Sequence, residues 1–197
     1  MAWAKLATKT LTSAGSNITT DTFTASKFNI FMFHENRTAG NTDGKFRVGN
    51  ASSDSSSNYA DRTSLNGGSD TTDTSQTGML YHADTTTTHH LSVGYAINIS
   101  TEEKLFIYWY VNASPTGAGT APQRREYVGK WTNTSNQFTV MDLYTGGSDQ
   151  FQIDNNITVL GSDVTIYNIQ NGLEFHETDT NKDYVFNSSN NTWYQIT

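Results

Sequence analysis

The property that most limits what this chain can fold into is an apolar rhythm of two residues with no helical rhythm beside it. Leu91, Val93, Tyr95, Ile97 and Ile99 alternate with Ser92, Gly94, Ala96 and Asn98. In a strand this sends large apolar groups to one face and small or polar ones to the other. A polar link at 100–103 leads into residues 104–111, and two such runs so joined read as a β-hairpin. No segment of about a dozen residues keeps a helical apolar period. Composition points the same way: 31 Thr, 19 Ser and 19 Asn stand among 197 residues, and Thr favours strands and turns over helices. Disorder is the weaker reading, because 10 Phe, 10 Tyr and 4 Trp can supply a core.

The second strand of the hairpin is apolar on both faces. Leu105, Ile107, Trp109 and Val111 make one, while Phe106, Tyr108 and Tyr110 make the other. A sandwich strand usually wets one face. The second face is therefore covered by a loop or the C-terminal segment, or it is a subunit interface, and Phe106, Tyr108 and Tyr110 are the interface candidates there. Further strands are predicted at 22–25, 28–33, 45–48, 79–82, 125–132, 137–144, 157–160 and 164–169. In 137–144 the apolar parity shifts from Phe138 and Val140 to Met141 and Leu143, as a β-bulge would make it. Residues 50–78, rich in Ser, Thr, Asp and Gly, read as a loop too long to be passive. The expected fold is all-β: an antiparallel β-sandwich, jelly-roll-like, over residues 1–170. Residues 171–197 read as a three-stranded meander too small to stand alone. Its inner set by alternation is Leu173, Phe175, Tyr184, Phe186 and Trp193.

Several function classes drop out. The net charge of -7 lies wholly in residues 132–197, which hold eight acids and one base. The only basic cluster, Arg124 and Arg125, falls short of the basic stripe that nucleic-acid binding needs. No apolar run is long enough for a helical membrane span, and the absence of Cys removes disulfides and thiol chemistry. The first residues lack the pattern of a signal peptide, so synthesis in a cytoplasm is expected. No Gly-x-Ser-x-Gly elbow is present. Gly44-Lys45 and Gly129-Lys130 are followed by Phe46 and Trp131 rather than the Ser or Thr of a P-loop. His34-Glu35 opens like a zinc-helix motif and lacks the second histidine. His82, Asp84, His89 and His90 surround a Thr-rich turn. On a strand His89 and His90 face opposite ways, although a hairpin could set His82 against His89; they read as polar rim histidines rather than as a metal site. Asp179-x-Asn-x-Asp183 opens like a calcium loop without its Gly or distant Glu, and turn chemistry accounts for it. No metal, cofactor or catalytic residue is expected.

One resemblance is usable. Gly172, Phe175, Glu177, Thr178, Asp179, Thr180, Lys182, Tyr184, Phe186 and Trp193 together resemble a short module common at the ends of tailed-bacteriophage virion proteins. The stretches Asn58-Tyr59-Ala60 with Arg62 and Asn66-Gly67-Gly68, Thr120 to Glu126, and Gly129-Lys130-Trp131 are similar to phage structural proteins. The resemblance implies a non-enzymatic virion component of a tailed bacteriophage, a capsid decoration or tail- or fibre-associated subunit. It would assemble through β-edges and aromatic surface with other virion proteins and with copies of itself. Phe175, Tyr184, Phe186 and Trp193 join the interface candidates as a docking module. The alternative is a carbohydrate-binding adsorption module for host surface glycans, with Tyr59, Asp61, Arg62 and Asn66 as its candidates.

Overall fold

The computed structural model describes residues 3–37, 43–82, 89–113, 116–146, 150–162, 171–187, 189–190 and 192–196. They fall into two compact units, one within residues 3–163 and one at the C-terminus. The larger unit contains β1 (Ala4–Thr10), β2 (Asn17–Thr19), β3 (Phe28–Glu35), β4 (Gly44–Gly49), β5 (Tyr59–Leu65), β6 (Thr71–Gln76), β7 (Met79–His82), β8 (His90–Ile97), β9 (Lys104–Asn112), β10 (Gln123–Trp131), β11 (Val140–Thr145) and β12 (Asn156–Ser162). Eight strands form one sheet in the order β1-β12-β3-β8-β9-β10-β5-β6, and four form another in the order β2-β11-β4-β7. Every pairing in both sheets is antiparallel. The described residues contain no helix. The fold is the all-β sandwich that the alternation predicts.

The core lies between the sheets and is mostly aromatic. Phe31 and Phe33 on β3, Phe106, Tyr108 and Tyr110 on β9, and Tyr127 on β10 meet Phe46 on β4 and Tyr81 on β7, all fully buried. The Phe46 ring sits 5.2–5.6 Å from those of Tyr108, Phe31, Phe106 and Phe33. Such offset and edge-on packing is the arrangement aromatic quadrupoles favour. The Tyr108 hydroxyl donates to the Leu80 carbonyl at 2.6 Å, so its polar tip is satisfied inside.

The interface expected at Phe106, Tyr108 and Tyr110 is therefore corrected. These side chains are the sandwich's own core, packed against the second sheet. Their size decides what β8 can place beside them. Gly94 pairs with Phe31 on one side and Tyr108 on the other. A Cβ there would stand 2.3 Å from the Phe31 ring and 2.5 Å from the Tyr108 Cβ, so only Gly fits. Ser92, Gly94 and Ala96 point inward, and Leu91, Val93, Tyr95 and Ile97 point out.

Other departures have local reasons. The stretch 50–78 is no simple loop, for it holds the hairpin β5–β6. Its tip, Asn66-Gly67, has two consecutive left-handed residues (φ 51° and 76°), the signature of a tight hairpin turn. Residues 22–25 are irregular, although Phe23 is buried. The bulge expected in 137–144 is absent: β11 starts only at Val140 and pairs without a register shift. All six β11 side chains are buried, because Thr19, Asn17 and Arg47 engage Asp142 from above and the Arg47 guanidinium lies 3.5 Å over the Tyr144 ring. The strand expected at 164–169 lies outside the described residues.

The smaller unit is a meander of β13 (Glu174–Glu177), β14 (Lys182–Asn187) and β15 (Thr192–Gln195). Phe175 pairs with Tyr184 and Phe186 with Trp193, and the Phe186 amide donates to the Leu173 carbonyl at 2.9 Å. This register puts Leu173, Phe175, Tyr184, Phe186 and Trp193 on one face, as the alternation predicts.

Candidate functional site

Three places carry more chemistry than the fold needs: the outer face of the large sheet, a buried polar cluster at one end of the sandwich, and the aromatic face of the meander.

On the large sheet, Tyr95 pairs with Ile107 and Val93 with Trp109, and Ile107 pairs in turn with Val128. The lane through Tyr95 runs Leu160, Ile30, Tyr95, Ile107, Val128 and then Arg62. Leu91, Tyr95, Leu105, Ile107 and Val128 are each about half exposed, and Trp109 and Val111 nearly so. These are neighbours across three strands, so they form one continuous patch. Scattered apolar residues are ordinary on a surface, whereas a contiguous patch above a few hundred Å² marks an interaction site. Between this patch and the β5–β6 hairpin lies a groove of about 480 Å³, lined by Leu105, Ile107, Val128, Arg62, Thr72 and Asp73 among others. The sequence pattern showed both faces of β9. It could not show which was outward, because that depends on the aromatic packing opposite Gly94.

The buried cluster is assembled from both sheets. Glu35 ends β3, Arg37 follows it, His82 ends β7 and His90 begins β8, and all four are buried. His90 Nδ1 lies 2.8 Å and His82 Nδ1 3.3 Å from the Glu35 Oε1 atom. The Tyr81 hydroxyl donates to Oε2 at 2.5 Å. Burial, with the Glu35 carboxylate beside it, pushes the Tyr81 phenol well above its ordinary value, so it remains a donor. An Arg37 terminal nitrogen stands 3.2 Å from His82 Nε2. Arginine can only donate, so His82 Nε2 accepts, and His82 Nδ1 faces the Glu35 carboxylate. Three of these groups (Glu35, His82 and His90) bring potential metal-ligand atoms within 4.8 Å of one another. A dication there would need a bare ring nitrogen from each histidine and would face a guanidinium 3.7 Å from the carboxylate. The donor set fits an internal ion pair better than a cation. Chemically the cluster neutralises Arg37 and ties the two sheets together. The histidine that His82 meets is His90, at 4.1 Å between ring centroids. The His89 of the expected hairpin pairing instead stacks on His34 in the open. Asp84 lies outside the described residues. The sequence signal for Glu35 and Arg37 was their alternation after Phe31 and Phe33.

The glycan candidates do not converge. Tyr59 is buried, and its hydroxyl donates to the Val48 carbonyl at 2.7 Å. Asp61 is buried on the same inner face of β5. Arg62 points outward to Asp70 at 3.1 Å, and Asn66 sits at the hairpin tip, its Oδ1 accepting the Arg124 amide. A strand separates Asp61 from Arg62 by side, and Tyr59 has no face to offer a sugar ring.

On the meander, Phe175, Glu177, Tyr184 and Trp193 line a cleft of about 380 Å³. The Phe175 and Trp193 rings stand 6.1 Å apart at 64°, and the Phe175 and Tyr184 rings 6.3 Å apart. Glu177 Oε2 accepts from the Tyr184 hydroxyl at 3.3 Å and from the Thr180 hydroxyl. Local desolvation and the Glu177 carboxylate hold the Tyr184 phenol above its ordinary value. Phe175 and Trp193 remain exposed, whereas Phe186 is buried. Asp183 takes the His176 Nδ1 at 2.7 Å.

No family model matches the chain, and no curated protein matches it in sequence.

Proposed function

We propose that the chain is a non-enzymatic virion protein of a tailed bacteriophage, a capsid decoration or tail- or fibre-associated subunit. It assembles with copies of itself and with other virion proteins through apolar surface. The observation that carries this reading is the outer patch of β8, β9 and β10, where seven large apolar side chains stand together on the surface. The phage-like pattern from Gly172 to Trp193 supplies the class of assembly. The contact surface is the reverse of β9 from the one its sequence suggested: Leu105, Ile107, Trp109 and Val111 meet the partner, while Phe106, Tyr108 and Tyr110 hold the subunit together. Polar groups at the margin, Arg62, Lys130 with Glu103, and Arg124 with Glu126, give such a patch the polar rim of a protein interface. The glycan alternative built on Tyr59, Asp61, Arg62 and Asn66 has no assembled site to rest on.

The test is the Ile107→Lys variant of the full chain. It should stay folded, have a smaller mass in solution than the parent, and fail to join particles. A parent that is monomeric at high concentration, together with normal incorporation of the variant, would overturn the reading.

A further inference from the structure

We propose that the cleft of the C-terminal meander binds an organic quaternary ammonium group, with Phe175, Tyr184 and Trp193 as aromatic walls and Glu177 as the counter-charge. The four residues come from three strands, and the register places them on one face. The faces of aromatic rings attract cations through their quadrupole, most strongly for Trp. The Phe175 and Trp193 rings are inclined at 64° with centroids 6.1 Å apart, so both lie within reach of one methylated ammonium group. Charge agrees: residues 171–197 carry Glu174, Glu177, Asp179 and Asp183 against Lys182 alone.

The same geometry selects among cations. Glu177 Oε2 already accepts two hydroxyls, which leaves Oε1 as the carboxylate oxygen to replace the water around a primary ammonium. A lysine head is compact, strongly hydrated and has three donors to satisfy. A trimethylammonium has none, and its diffuse charge is matched by ring faces. A neutral apolar head of the same shape would lose the attraction to both the rings and Glu177. The inference stands apart from the assembly reading, since a virion subunit can lack it and a non-virion protein can have it.

The experiment is calorimetric titration of the full chain with choline chloride. 3,3-Dimethylbutanol, the uncharged carbon isostere, and Nα-acetyl-lysine methylamide serve as the other arms. Choline should bind, and the isostere and the lysine derivative should bind at least about tenfold more weakly. Trp193→Ala should abolish binding. Because that change could disturb the meander, Glu177→Gln, which keeps an acceptor for the Tyr184 and Thr180 hydroxyls, should weaken choline about fivefold with an unchanged circular dichroism spectrum. No heat with choline up to about 100 mM, equal binding of the isostere, or an unaltered affinity in Glu177→Gln would each overturn the proposal.

Discussion

At the second inward position of β5 stands Asp61, a carboxylate in a place most sandwiches give to an apolar group. Its Oδ2 accepts the Leu80 amide at 3.1 Å, and its Oδ1 has no hydrogen-bond partner among the described residues. Burial, helped by the Asp73 charge, pushes its pKa from 3.8 up to about 6. The sign of the consequence follows from linkage. Well below pH 4 the group is protonated in folded and unfolded chains alike and costs nothing. Between about 4 and 6 the unfolded chain ionises first, so stability falls as pH rises, and above 6 the penalty is complete. A shift of this size corresponds to roughly 1–3 kcal/mol. Asp61→Asn keeps an oxygen for the Leu80 amide and removes the charge. Urea unfolding should show the variant more stable than the parent by about that amount at pH 7.5 and nearly equal at pH 4. A variant weakened at both pH values would show that the ionised carboxylate is itself needed.

Among the elements, β8 shows most clearly what was legible and what was not. Its alternation identified it as a strand and sorted its residues correctly into two sets, but hydrophobicity alone says that Val93 and Tyr95 belong inside. The structure puts them outside because the inner space is already taken by Phe31 and Tyr108, rings supplied by strands far away in sequence. The strands read successfully, β3, β7, β9 and β10 among them, are those whose own residues are apolar enough to announce themselves. β5 and β6 were hidden because Thr, Ser and Asp occupy most of their positions, and strand residues of that kind are specified by neighbours rather than by pattern. The buried cluster was legible only in part: alternation after Phe31 and Phe33 sends Glu35 and Arg37 inward, but Glu35, His82 and His90 meet only once two sheets stack. Gly94→Ala tests the volume argument directly. With a Cβ 2.3 Å from the Phe31 ring, it should cost about 1–3 kcal/mol in chemical denaturation. Phe31→Leu placed in the same chain should recover part of that loss. An alanine variant as stable as the parent would mean that β8 yields where the packing says it cannot.

At the scale of the whole molecule, the two units differ in what holds them. Among the described residues, the buried apolar cluster of the sandwich runs from Ile18 to Val159. Among the described residues of the meander one large side chain, Phe186, is buried, whereas Leu173, Phe175 and Trp193 are substantially exposed. Ordering a backbone costs about 1–2 kcal/mol per residue, which three short strands with so little burial do not offset on their own. Stability is thus unevenly distributed along the chain, and cutting it should have unequal effects. A chain ending at residue 169 should keep its β-rich circular dichroism spectrum and unfold in urea at nearly the parent's midpoint, because every group in its core is still present. A peptide of residues 171–197 should give the spectrum of a coil. If the shortened chain instead lost its cooperative transition, the core between the sheets would not be sufficient to fold the sandwich.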